Sequence, residues 1–243
     1  MKAFNKTRQK LLADGRLKRY LLYAFGEIVL VVVGILIALQ LNAWKADQKD
    51  RGLEQAHLRN LTEDLQLQLE IIQVQMQHDS MLTMKADSAY TFFNGGIGIT
   101  QLEGILYGAM QLGNRKTFVE SDATFQELLS TGGMNLITDP DLRKAFMRYH
   151  QQLDYTSKVI NTNNGLIDAL FNINSVNNSP SFSLGTNGQL DTSVQLSGQE
   201  LYRLRKSIAM RKSLCTIALG ICEKQRVATN TLLYKVDLAI KPN

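Results

Sequence analysis

The hydrophobic pattern changes character once along the chain, near residue 44. Leu21–Leu41 reads LLYAFGEIVLVVVGILIALQL, an apolar run interrupted by Glu27 and Gln40. As a helix this run rises ~31 Å, against ~30 Å for the hydrocarbon core of a bilayer. Beyond Trp44 apolar residues instead recur every three or four positions, at Leu58, Leu61, Leu65, Leu69, Ile72 and Met76. That spacing lines one face of a helix, and Gly52 is the lone breaker up to about Phe93, so one long helix is predicted to continue from the span.

Punctuation divides the remainder. Gly95, Gly96 and Gly98 stop the long helix, and a shorter one is predicted from about Gln101 to Leu112. Ser121 or Asp122 can cap a helix through Leu129 that ends at Gly132-Gly133. Thr138-Asp139-Pro140 starts the next, because proline in the first turn forfeits no hydrogen bond and Asp139 can accept from the free amides. That helix is predicted to run to about Phe171. Residues 172–196 are rich in Asn, Ser, Thr and Gly and read as a polar surface excursion. Ser197 and Glu200 have capping-box spacing. The last helix then runs toward Lys241, with Leu201, Leu204, Ile208, Leu214, Ala218, Ile221, Ala228, Leu232 and Val236 facing inward. The expected fold is all-α: a transmembrane helix continuing into an elongated antiparallel helical bundle of coiled-coil character.

Charge changes the picture by its position. Lys2, Lys6, Arg8, Lys10, Arg16, Lys18 and Arg19 precede or border the apolar run, opposed by Asp14 and Glu27, and they carry the whole +5 of the chain. From Lys45 onward the 20 basic residues meet 20 acidic ones. A nucleic-acid partner loses its support, since no basic excess lies on the main domain. The positive-inside rule instead places the N-terminus in the cytoplasm, and Tyr20, Tyr23 and Trp44 mark the two interfaces with the lipid bilayer. The organisation expected is a basic tail at 1–20, a span at 21–43 and an outer helical domain at 44–243. A cleaved signal peptide fits less well. The run exceeds the ~7–15 residues of a signal core, and a cut after Ala43 would find Leu41 where a small residue is wanted.

Arg19–Trp44 resembles the N-terminal block of an uncharacterised family of single-span proteins common in Bacteroidota. A second block, Thr124–Ile137 (TFQELLSTGGMNLI) followed by Asp139, Leu142, Arg143 and Tyr149, fits the same family. Where that family usually carries Asn-Asn-Trp-Asn after the span, this chain has Asn42, Ala43, Trp44 and Lys45. The resemblance implies a bacterial inner membrane with the main domain in the periplasm, and no mechanism, because the family has no assigned activity.

Candidate chemistry is thin. Glu54 and His57 have the spacing of one half of a di-iron motif, but His78 and His150 each lack a Glu three residues before them, so no metal, and no other cofactor, is predicted. Cys215 and Cys222 lie ~10 Å apart along one predicted helix, too far to bond, and read as small core side chains. Gly95–Gly98 lacks the strand and the Lys-Ser/Thr of a phosphate loop.

Two features remain as candidate sites. One is the helix-turn-helix corner of Phe125, Glu127, Gly132, Gly133, Asn135 and Arg143. It reads either as a packing corner with Glu127 and Arg143 solvated, or as a ligand or partner site. The other is the face of the span holding Glu27, Val31, Gly34 and Ala38. Gly34 and Ala38 let a second helix come close, which suits a homo-oligomer through the membrane. Glu27 either lies ~10 Å inside, at a cost of ~2–3 kcal/mol unless paired, or sits at the interface. The expected function is therefore non-enzymatic: a membrane-anchored interaction or scaffold protein acting with an unidentified envelope protein. The alternative is a periplasmic ligand-sensing module that signals through a partner.

Overall fold

The structure, a computed structural model, describes residues 16–94, 108–109, 111–171 and 197–240. The expected glycine stop at 95–98, most of the helix expected at 101–112 and the excursion at 172–196 lie outside these. The described elements are helices α1 (Arg16–Asn94), α2 (Ala123–Thr131), α3 (Pro140–Phe171) and α4 (Gly198–Ala239), with a 3-10 turn at Gly133–Leu136. The all-α expectation holds. The chain divides into two units, Met1–Glu54 and Gln55–Asn243.

The first unit is helical from Arg16, and its large apolar side chains from Leu21 to Leu41 all stand exposed, Leu30 at 74 %. By length and composition this helix is long and apolar enough to cross a membrane. A helix apolar all round needs an apolar surrounding, and none of this stretch is buried within the chain.

The second unit has a core in three tiers. Leu58, Leu61 and Leu65 of α1 pack with Phe125, Leu128, Ile137, Leu142, Phe146, Leu232 and Val236. Ile72 packs with Phe118, Leu153, Ile160, Ala218 and Cys222. Leu82, Ala86 and Ala89 pack with Leu112, Ile208 and Cys215. Reading these tiers in chain order fixes the directions: α1 and α3 run parallel, and α4 runs against both. The stretch from Leu112 to Phe125 also runs against α1, and between Asn114 and Asp122 it is not helical.

Within this unit a buried line that alternates by three and four runs along both α1 and α4. On α1 it passes through Leu58, Leu61, Leu65, Gln68, Ile72, Gln75, Asp79, Leu82, Ala86 and Ala89. On α4 it passes through Ile208, Arg211, Cys215, Ala218, Cys222, Gln225, Thr229, Leu232 and Val236. This seven-residue repeat is that of a left-handed coiled coil. It corrects the expected stripe: Gln68 and Gln75 are buried, while Leu69 and Met76 are half-buried flankers. At Gln68 and Gln75 the next residue along is apolar, so the apolar stripe there lies one position off the buried line.

The local signals were otherwise well placed. Asp139 Oδ1 accepts from the Asp141 amide at 2.8 Å, in the first turn of α3. Ser197 and Glu200 form the reciprocal capping box of α4. The start of α2 differs. Neither Ser121 nor Asp122 caps it; the carboxylate of Asp64 on α1 accepts from the Thr124 amide at 2.8 Å.

Candidate functional site

The corner between α2 and α3 is stitched shut by its own residues. Gly132 takes φ +73°, the left-handed conformation that ends α2, and its amide returns to the Leu129 carbonyl. Gly133 is buried; a Cβ there would lie 3.0 Å from Leu128 Cδ2 and 3.1 Å from Thr131 Oγ1. Phe125 belongs to the core. Arg143 donates to the Ile137 carbonyl, closing the turn from the α3 side. Glu127 and Asn135 are exposed. The corner residues are thus brought together as a built turn, with the backbone of Glu127 accepting from the Ser130 and Thr131 hydroxyls. Arg143 is pinned where the packing reading had it solvated.

Beside the corner lies a polar cluster that the sequence did not disclose. Glu120 and Asp122 come from the segment entering α2, and His150 from α3; their ligand atoms all lie within 4.8 Å of one another. His150 Nε2 is 3.0 Å from Asp122 Oδ2. The Gln126 amide nitrogen donates to that oxygen at 2.8 Å and sits 2.9 Å from the same imidazole nitrogen. Asp122 Oδ2 can accept from both nitrogens, and the tautomer of His150 sets which of its two neighbours Nε2 pairs with. Phe125 stacks on the imidazole, centroids 4.2 Å apart. Beneath lies a cavity of about 20 Å³ lined by Ser121, Asp122, Phe125, Tyr149 and His150 among others, room for about one water.

No motif links Glu120 or Asp122 to His150, because their separation in sequence is set by the corner. The pair that spacing did suggest is not part of this cluster: Glu54 is buried and His57 half-buried on α1.

A second polar group lies inside the core. Gln75 Nε2 donates to Asp79 Oδ2 at 2.9 Å, and Arg211 donates to the carbonyls of Leu112 at 3.0 Å and Asn114 at 2.8 Å. Burial raises Asp79 above the usual carboxylate range and lowers His78 and Arg211. The neighbouring Cys215 thiol is pushed up by burial to about 11 and Cys222 to about 12. Both cysteines are buried and unbridged, so they are core side chains with little thiolate at neutral pH.

In the first unit, Glu27, Val31, Gly34 and Ala38 are all exposed, and a Cβ added at Gly34 would meet nothing within 4 Å. That face is open to close approach.

Residues 27–92 match a family of unknown function (DUF6090). The match begins at Glu27, inside the apolar run, and covers α1 almost to its end. No curated protein and no solved structure matches the chain.

Proposed function

We propose that this chain is a non-enzymatic, single-pass scaffold or interaction protein of a bacterial inner membrane, with its N-terminus cytoplasmic and its coiled-coil unit periplasmic. One observation carries the reading. From Leu21 to Leu41 every large apolar side chain is exposed, while the second unit packs an apolar core of its own. A lipid surrounding supplies for the first what the core supplies for the second. The cavity beside the corner, at about 20 Å³, is far smaller than the ~300 Å³ at which ligand pockets begin, which favours a scaffold over a sensor that takes its ligand there. Leu67, Val74 and Met81 stand exposed seven residues apart on α1 and offer a partner an apolar ridge. In the membrane a second copy would pack on Glu27, Val31, Gly34 and Ala38, where the carboxyl group would be shielded from lipid.

The test is impermeant-thiol labelling in spheroplasts. The native cysteines give little background because their thiols are held at about 11 and about 12. Cysteine at the exposed positions Ser80 and Thr216 should label in intact spheroplasts, and one at Asn5 only after lysis. Labelling of Asn5 alone in intact spheroplasts would reverse the orientation. Energy transfer between labelled copies in vesicles tests the pairing: Gly34→Leu should weaken it, and an unchanged dilution curve would leave the span as an anchor only.

A further inference from the structure

Independently of the scaffold reading, we propose that Glu120, Asp122 and His150 bind one divalent transition-metal ion of the zinc type. Two carboxylates and an imidazole are a donor set that suits such ions, while Mg²⁺ and Ca²⁺ favour oxygen alone. The geometry is close to what coordination requires. Metal–ligand bonds of ~2.0–2.2 Å set adjacent donors ~3.0–3.5 Å apart. Asp122 Oδ2 and His150 Nε2 are 3.0 Å apart, and the Glu120 carboxylate completes the group within 4.8 Å.

The present occupant of the convergence point shows its polarity. The Gln126 amide nitrogen lies 2.8 Å from the carboxylate oxygen and 2.9 Å from the imidazole nitrogen, and those two atoms are 3.0 Å apart, so three polar atoms converge on one place. A cation held there would take a lone pair from the carboxylate and one from the imidazole in its Nδ1–H tautomer. Turning the Gln126 amide over withdraws the donor and brings its oxygen to the same spot as a fourth ligand. Glu120 has no hydrogen bond or ion pair among the described residues, though it is half-buried beside a second carboxylate. A metal ion would relieve that like-charge contact.

The frame is fixed before any ion arrives. Between the two carboxylates, the Ser121 amide donates to Gln68 Oε1 of α1 at 2.7 Å, and the Thr124 amide is held by Asp64. The Phe125 ring sets the plane of the imidazole. Preorganised donors lose little entropy on binding. The Asp122 and His150 side chains remain 21 % and 22 % exposed, which leaves a path for the ion and room for water on its outer side. Such an ion would tie the segment before α2 to α3.

The experiment uses the full chain in detergent, stripped with chelator and titrated with Zn²⁺, Mg²⁺ or Ca²⁺ by equilibrium dialysis and thermal melting. Wild type should take up one zinc per chain and melt several degrees higher with saturating zinc. His150→Gln and Glu120→Gln should each weaken zinc binding by at least ~10-fold. Glu120→Gln serves as the folding control, since Glu120 is in no hydrogen bond that the change would break. Cobalt substitution should give visible absorption bands in wild type that are lost in His150→Gln. The proposal fails if wild type binds no zinc, if both variants bind it as well as wild type, or if Mg²⁺ or Ca²⁺ binds as tightly.

Discussion

Asn161 holds the peptide of Phe118 from both sides: its Nδ2 donates to the Phe118 carbonyl and its Oδ1 accepts from the Phe118 amide, each at 3.1 Å. Phe118 lies in a stretch with no helix or strand to satisfy its backbone, yet its side chain fills the middle tier of the core. Similar contacts continue along the stretch. Arg211 serves Leu112 and Asn114, Asn164 serves Lys116, and Gln68 serves Ser121. Side chains of three helices thus do for this segment what a neighbouring strand does in a sheet.

Removing the clamp should therefore cost more than its two bonds suggest. Asn161→Ala leaves a donor and an acceptor of Phe118 without partners, at ~1–3 kcal/mol, and loosens the seat of the ring. Asn161→Asp should be nearly as damaging, because a carboxylate cannot donate to the carbonyl. Chemical denaturation of the detergent-solubilised chain measures both. An Asn161→Ala midpoint equal to wild type would mean that Phe118 is held by its ring alone.

The two glycines of the corner should respond differently to the same substitution. Gly132→Ala meets open space but must hold φ +73°, a cost of ~1 kcal/mol. Gly133→Ala places a methyl group 3.0 Å from Leu128 Cδ2 in the core, where overpacking costs ~1–3 kcal/mol. Melting of the two variants side by side decides it, with Gly133→Ala expected to fall further. The reverse order would show that the core yields to a methyl group more easily than the backbone yields at Gly132.

Asp79 gives the pH dependence its sign. Burial raises its folded pKa, so the folded state holds the proton more tightly than the unfolded state, whose value is near 3.8. This contribution is fully present below that value and is lost as pH rises through the folded pKa. Asp79→Asn keeps an acceptor for Gln75 without the charge. The variant should melt above wild type at neutral pH, with the gap closing as pH approaches 4. A variant less stable than wild type at neutral pH would show that Arg211 compensates the ionised carboxylate fully.

Local chemistry in the sequence was enough for the end of α2 and the starts of α3 and α4. Asp139-Pro140, Ser197 with Glu200 and Gly132 act within one turn of their own positions, so no distant contact can move them. The apolar run from Leu21 to Leu41 was equally plain, since a helix with no polar face needs no partner to be recognised. The buried polar residues were not legible. Gln68, Gln75, Asp79, Arg211 and Gln225 break the apolar periodicity, and several are buried because a non-helical strap and facing helices need their hydrogen bonds. The capping of α2 by Asp64 and the meeting of Glu120, Asp122 and His150 belong to the same class. In each case the partner lies tens of residues away. Which polar groups face each other there is decided by the register of three packed helices, and a single helix's periodicity cannot encode that register.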